Sequence, residues 1–117
     1  MHGKDVIIIQ KIIRYISDVQ EYVQGISSKQ FLEDKKTMTA CAFTVSQIGE
    51  LAKDITEETQ GKHSNIPWTA IKGMRNKIVH DYEHIDLAVL WGTIQNSLPE
   101  LKEDLEKILF ENPEPIL

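Results

Sequence analysis

The chain has 117 residues, of which 41% are hydrophobic and 26% charged. This length fits a single domain, predicted to span residues 1–117, and the composition is typical of a folded globular protein. Its single cysteine excludes an intrachain disulfide framework and favours a reducing, cytoplasmic setting. The net charge of −5 argues against a protein that coats nucleic acid through general electrostatics, although a local cationic cleft can still attract phosphate.

Two long helices are predicted in the first half of the chain. Apolar residues recur at steps of three and four through residues 9–23 and again through residues 38–55. We expect Gly25 to end the first helix, Ser27 and Ser28 to begin a new one, and Gly61 to end the second long helix. No apolar run is long enough to span a bilayer, so no membrane association is expected.

The second half predicts two more helices. Pro67 stands where a helix can begin, and Ile71 begins its apolar side. A break is expected at residues 81–85, after which Asp86 would cap a last helix that Pro99 kinks or splits. The tail should fray from about residue 111. We therefore predict an all-α, up-and-down bundle of four to five helices, small enough that forming a homodimer would help it to bury apolar surface.

The residues best suited to chemistry lie between Arg75 and Tyr82. Asn76 and His80 are four apart, so they would share one helix face, whereas Arg75 and His80 would lie about 140° apart around a straight helix. Arg75 and His80 would converge if the helix bends after Val79, or if a twofold axis brings a second copy alongside. The alternative interpretation is that these residues only cap the helix and face solvent.

A cleft that holds these two side chains would suit RNA cleavage without a metal. An imidazole can move a proton to or from the 2′-hydroxyl or the leaving 5′-oxygen, and a guanidinium can bind the phosphate as its charge grows. The RNA supplies its own nucleophile. A metal site is poorly supported, because no two of the four histidines have ligand spacing on one helix and the single cysteine, Cys41, falls on an apolar stripe. No cofactor is expected.

The sequence resembles the HepT-like branch of the HEPN superfamily from about residue 31 to residue 101. Its motif region and flanking positions carry the resemblance: Ile66, Pro67, Trp68, Ile71, Gly73, Met74, Arg75, Asn76, His80, Asp81 and Tyr82, with Phe31, Leu32, Asp34, Thr37, Ile48, Gly49 and Glu50 upstream, and Asp86, Trp91, Leu98, Pro99 and Leu101 downstream. The element Arg-x4-His-x-Tyr is specific when it occurs within this pattern.

The resemblance implies a HEPN-like helical homodimer in which the Arg-x4-His motif lines a cleft between subunits and carries metal-independent ribonuclease activity. Arg75 and His80 would then be catalytic, with Asn76 as their polar companion. Glu50 would either support Arg75 or simply belong to a solvated helix face. The RNA substrate would be tRNA or mRNA.

The resemblance also implies a partner: a minimal nucleotidyltransferase of the MntA type, which acts as antitoxin and adds AMP to Tyr82. The alternative hypothesis is a non-catalytic helical dimer that docks this nucleotidyltransferase and merely binds nucleotide or RNA phosphate. A structural bundle with no ligand explains the clustering of Arg75, His80 and Tyr82 least well.

Overall fold

The computed structural model describes residues 1–81 and 84–112, and at residues 80 and 81 it describes the backbone. The described residues are mainly helical, which confirms the predicted all-α fold class. The elements are α1 (Gly3–Tyr22), α2 (Ser28–Glu33), α3 (Lys35–Ala52), α4 (Glu57–Lys62), α5 (Trp68–Lys72), α6 (Met74–Ile78), β1 (Val79–Asp81), β2 (His84–Ile85), α7 (Leu87–Gly92), a π-helical turn (Thr93–Ser97) and α8 (Leu98–Glu111).

Helix α1 lies against both α3 and α8 and forms one side of the core. Its buried residues follow the predicted three- and four-residue steps, because this spacing places them on one side of the helix. Gly25 adopts a left-handed backbone with φ of 77°, which a glycine accepts without steric cost, and the chain turns there. Ser27 then caps α2 through a reciprocal pair with Gln30, as the sequence indicated.

The second long helix ends earlier than predicted. Helix α3 stops at Ala52, and Gly61 lies inside the separate helix α4, so the prediction that Gly61 ends the second helix was wrong. The separate helix forms because the Thr56 side chain caps its first turn, accepting a hydrogen bond from the backbone N–H of Thr59.

A buried carboxylate joins α4 to the first turn of α1. Asp5 is fully buried, and its oxygens accept hydrogen bonds from the Thr56 N–H at 3.0 Å and from the hydroxyls of Thr56 and Thr59, each at 2.6 Å. Burial alone would raise the pKa of Asp5, but these hydrogen bonds favour the charged form and hold the pKa below its usual range. Among the described residues no arginine or lysine pairs with this carboxylate, and the hydrogen bonds, with a smaller contribution from the charge of His2, stabilise its ionised form.

The helix that carries the motif is shorter than predicted and is broken twice. It divides at Gly73 into α5 and α6, and α6 ends at Ile78. Val79 then begins a two-stranded antiparallel hairpin in which it pairs with Ile85, while the backbone N–H of Asp86 donates to the Ile78 carbonyl at 2.6 Å. These strands could not be predicted, because two such short strands leave no visible alternation of apolar and polar residues in the sequence.

The last helix is interrupted as predicted. Asp86 caps α7 by accepting from the backbone N–H of Val89 at 3.1 Å. Pro99 has no N–H and crowds the carbonyl four residues earlier, so regular α-helical bonding cannot continue through it. The chain accommodates this with the π-helical turn immediately before α8. The tail predicted to fray from about residue 111 falls mostly on residues 113–117, which lie outside the described residues.

The described helices pack around one continuous apolar core. Its largest fully buried side chains include Phe31, Ile48, Leu90 and Leu98. The Phe31 ring also contacts the ring of Trp91, with centroids 4.9 Å apart. In the described part of the chain, every helix is too short or too polar to cross a lipid bilayer.

Candidate functional site

An open groove runs between α3 and the segment from α6 to the hairpin. Its volume is about 400 Å³. Helix α3 forms one wall, while α6 and both hairpin strands contribute to the other. The lining residues are Thr39, Ala42, Phe43, Ser46, Gln47, Glu50, Arg75, Val79 and Ile85.

Arg75 brings a cation to this groove. Met74 and Ile78 are four residues apart and both are buried, so they turn one face of α6 into the core and leave Arg75 exposed. No hydrogen bond or ion pair joins its guanidinium to any side chain in residues 1–79 or 84–112. A guanidinium in this position can present its fork of donors to a phosphate.

Glu50 lines the same groove from α3. Its carboxylate pairs with the Lys53 ammonium at 3.1 Å, and about half of each side chain is exposed to solvent. Glu50 thus lines the same groove as Arg75, but its ion pair is with Lys53 of its own helix, and support of Arg75 by Glu50 stays a prediction.

Gly49 is the reason that α3 and the motif segment approach so closely. A Cβ atom at this position would lie 3.0 Å from the carbonyl oxygen of Ile71 and 3.9 Å from the Cβ atom of Met74. A glycine allows this approach, and it places the neighbouring Glu50 at the level of α6. The Gly49-Glu50 pair thus contributes a close helix contact and one groove residue.

Of the other predicted site residues, the structure describes Asn76 fully and His80 only in its backbone. Asn76 is exposed on α6 but is not among the residues that line the groove. Its predicted common helix face with His80 was wrong, because α6 ends at Ile78 and the His80 backbone belongs to β1. The bend expected after Val79 occurs one residue earlier, where the helix gives way to extended backbone. The His80 side chain and the whole of Tyr82 lie outside the described residues.

Sequence reasoning missed Phe43, the largest side chain of the groove wall. It is 65% exposed although phenylalanine is usually buried. A signal was available: the apolar stripe of α3 includes Ala42 and Val45, and Phe43 lies between them in sequence but away from their helix face.

Metal ligands are not grouped in the part of the chain that the structure describes: no three histidine, cysteine or acidic side chains there are placed to share an ion. Cys41 is completely buried, as expected from its place on the apolar stripe, and burial raises the pKa of its thiol to about 11. A buried, protonated thiol is a poor nucleophile and a poor ligand.

A second, more enclosed cavity of about 190 Å³ lies between the motif segment, the π-helical turn and α8. Lys77 lies at this cavity together with Glu100 and Asp104, whereas Arg75 belongs to the groove. Arg75 and Lys77 of α6 therefore face different surfaces. Of the predicted site residues whose side chains the structure describes, Arg75, Asn76 and Glu50, none lines the enclosed cavity.

Fold and groove together define a small all-α protein with an exposed guanidinium beside a helix-to-strand junction. The chain matches the model of the family named "Ribonuclease HepT-like" over residues 12–108. It therefore belongs to the HepT-like ribonuclease family, which confirms the resemblance drawn from the sequence.

Curated relatives match most of the chain. "Putative RNase TTE0752" of Caldanaerobacter subterraneus subsp. tengcongensis is 34% identical over 101 residues, which cover 86% of this chain and 90% of that protein. "Probable ribonuclease HepT" of Thermococcus cleftensis is 35% identical over 100 residues, with 86% and 91% covered. "Putative RNase MJ1216" of Methanocaldococcus jannaschii is 30% identical, with 84% and 81% covered. No solved structure matches the chain.

Proposed function

We propose that this protein is a metal-independent RNA endonuclease, the toxin of a type VII-like HEPN/MNT toxin–antitoxin system. Membership of a ribonuclease family supports RNA as the substrate. The observation that carries the proposal is the position of Arg75, whose guanidinium is exposed in a groove and unpaired among the described side chains. The same groove is lined by Val79, the residue directly before His80.

The proposed reaction uses the side chains of Arg75 and His80. The 2′-oxygen of the RNA attacks the neighbouring phosphorus, the bond from phosphorus to the 5′-oxygen breaks, and a 2′,3′-cyclic phosphate and a 5′-hydroxyl are formed. His80 accepts the proton of the 2′-hydroxyl or donates a proton to the leaving 5′-oxygen. Arg75 donates hydrogen bonds to the phosphate oxygens as their negative charge increases.

We further propose that the protein acts as a homodimer. The reaction needs one group to remove a proton and another to supply one, and a single chain offers one His80. A twofold axis beside the groove would bring a second His80 and a second Arg75 to the same phosphate, because a symmetric interface presents each residue twice. One imidazole would then act as base and the other as acid.

The test is RNA cleavage in EDTA by the wild type and by Arg75→Ala and His80→Ala. Loss of one transition-state donor or of one acid–base group should lower the rate about 100- to 1000-fold. Lys77→Ala is the matched control, because it removes a cation from the same short helix at a residue that faces the other cavity. Equal rates for all four proteins would remove Arg75 and His80 from the mechanism.

The same assay separates the catalytic proposal from the alternative of a binding module. A non-catalytic dimer would leave RNA intact in every buffer while still binding a nucleotidyltransferase. Cleavage that appears only when a divalent metal is added would contradict the metal-independent mechanism but would leave the ribonuclease proposal standing.

We propose Tyr82 as the residue through which the MntA-like antitoxin silences the toxin. Its phenolic oxygen would attack the α-phosphorus of ATP, so that AMP is attached and pyrophosphate leaves. Incubation with the antitoxin and ATP should add one AMP mass to the wild type and none to Tyr82→Phe. Tyr22→Phe is the control, because Tyr22 is 46% exposed and thus accessible. An adduct that persists in Tyr82→Phe would refute the assignment.

A further inference from the structure

We propose that Phe43 is a stacking platform for a base of single-stranded RNA beside the scissile phosphate. This inference rests on the proposed ribonuclease function and adds a substrate-positioning residue to it. Phe43 would hold the strand and would take no part in proton transfer.

The exposure of Phe43 is the first observation. The ring is 65% exposed and lines the groove that also holds Arg75. Leaving an aromatic side chain in water forgoes the stabilisation that its burial would give. An aromatic ring inside a groove that contains a phosphate-binding cation is the arrangement with which proteins bind single strands, since every base has a face that can stack.

The neighbours of Phe43 suit a nucleotide. Thr39 lies four residues before it and Gln47 four residues after it, so both flank the ring on the same helix face, and both line the groove. The Thr39 hydroxyl donates to the Lys35 carbonyl at 2.7 Å and so offers a base an acceptor, whereas the Gln47 amide can both donate and accept at the edge of a stacked base.

The distance along α3 would let one RNA strand contact both Phe43 and Arg75. Gly49 is level with the motif helix, because its Cβ position lies 3.9 Å from the Cβ atom of Met74. Phe43 precedes Gly49 by six residues, which corresponds to about 9 Å of helix rise. A base on Phe43 would therefore belong to a nucleotide close to the one whose phosphate Arg75 holds.

A second copy of the chain is the competing occupant of this surface. Phenylalanine and arginine are common at protein interfaces, whereas glutamate and serine are depleted there. The groove also holds Glu50, Ser46 and two further polar side chains, so its surroundings favour a hydrogen-bonding ligand over a second copy. With a net charge of −5, general attraction for RNA is weak, so an RNA ligand needs a contact such as base stacking, whose strength does not depend on net charge.

The experiment measures binding without cleavage. The probe is a 12-nucleotide single-stranded RNA of mixed sequence with 2′-O-methyl groups throughout, which removes the attacking hydroxyl. A second probe has the same backbone but abasic sugars. Kd is measured for the wild type and for Phe43→Ala, Phe43→Leu and Phe43→Trp. Phe110→Ala is the matched control, because Phe110 is 88% exposed on α8 and does not line the groove.

Phe43→Ala and Phe43→Leu should bind the base-bearing probe about 5- to 100-fold more weakly than the wild type, and the abasic probe equally well. Phe43→Trp should restore binding, and Phe110→Ala should match the wild type. Equal Kd values for wild type and Phe43→Ala on the base-bearing probe would overturn the inference, as would the absence of measurable wild-type binding.

Light scattering on the same variants tests the competing occupant. If Phe43→Ala dissociates a dimer and weakens both probes equally, the residue is a protein contact and the inference fails. Failure of the ribonuclease proposal would look different: unmodified RNA would stay intact with the wild type, whatever the binding of the methylated probe.

Discussion

Removing the Asp5 carboxylate should be among the most destabilising changes of a polar side chain in this protein. Asp5→Ala takes away the acceptor for three hydrogen bonds, from the backbone N–H of Thr56 and the hydroxyls of Thr56 and Thr59. Thr59 is itself buried, with 2% exposure, so water cannot simply replace the lost acceptor. The change therefore disconnects α4 from α1 and leaves a buried donor unsatisfied.

The size of the effect follows from these contacts. A hydrogen bond to a charged group contributes about 1.5–3 kcal/mol, and bonds that share one carboxylate do not add fully. We expect Asp5→Ala to lower the free energy of unfolding by about 3–5 kcal/mol, a large fraction of the 5–15 kcal/mol typical of a domain. Asp5→Asn keeps the shape and one acceptor oxygen, so about 1–3 kcal/mol should be lost.

The effect should depend on pH in a defined direction. The folded-state pKa of Asp5 lies below its ordinary value of about 3.9, so the ionised carboxylate contributes its full stability above about pH 4. That contribution disappears as the pH falls through the folded-state pKa, where the carboxylate takes up a proton. The free-energy gap between wild type and Asp5→Asn should therefore narrow from pH 7 to pH 3.

Urea unfolding at one fixed protein concentration measures both effects, because a dimer would make stability depend on concentration. Asp54→Asn is the control, since it makes the same chemical change at an exposed carboxylate. A loss below about 1 kcal/mol in Asp5→Ala would refute the role given to these hydrogen bonds. A gap between wild type and Asp5→Asn that stays constant from pH 7 to pH 3 would refute the pKa argument.

Further predictions concern packing, a thiol and a helix cap. Gly49→Ala should lower the free energy of unfolding by about 1–3 kcal/mol, because its Cβ would lie 3.0 Å from the Ile71 carbonyl oxygen. Gly61→Ala has open space inside α4 and should raise the free energy of unfolding by about 0.5–1 kcal/mol. Equal urea midpoints for the two variants would contradict this. Burial raises the pKa of the Cys41 thiol to about 11, so this thiol should react with a thiol-specific disulfide reagent only when the protein unfolds. Prompt labelling of the folded protein would contradict the burial. Ser27→Ala should cost about 1 kcal/mol by removing the cap of α2, which an unchanged melting temperature would disprove.

The long helices could be predicted because their apolar residues repeat with the helical period, and because local signals marked several ends. Gly25, Ser27 and Asp86 acted as predicted through a left-handed turn and two caps. Gly61 misled the prediction, because a glycine both ends helices and is tolerated within them, and the Thr56 cap outweighed its helix-breaking tendency.

The groove was less accessible to sequence reasoning than the motif. Arg75 and His80 are recognisable because their spacing occurs within the surrounding family pattern. A groove also needs a second wall, which α3 supplies through residues about 30 positions earlier. The closeness of the two walls depends on the absence of a side chain at Gly49, which a single sequence cannot distinguish from any other small residue. The exposure of Phe43 could be read from its place off the apolar stripe of α3, but that it lines the same groove as Arg75 follows only from the packing of the helices.

The helix-to-strand junction changes how the motif spacing should be understood. In a continuous helix, five residues would separate Arg75 and His80 by about 140° around the axis. Here α6 ends at Ile78, so helical geometry fixes Arg75, while the backbone of His80 follows the hairpin. The pairing of Val79 with Ile85 sets the path of that hairpin, and both residues line the groove. The path of the His80 backbone relative to Arg75 is therefore set by strand pairing and by the Asp86 backbone bond to Ile78. The four residues between Arg75 and His80 comprise the end of a helix and the start of a strand.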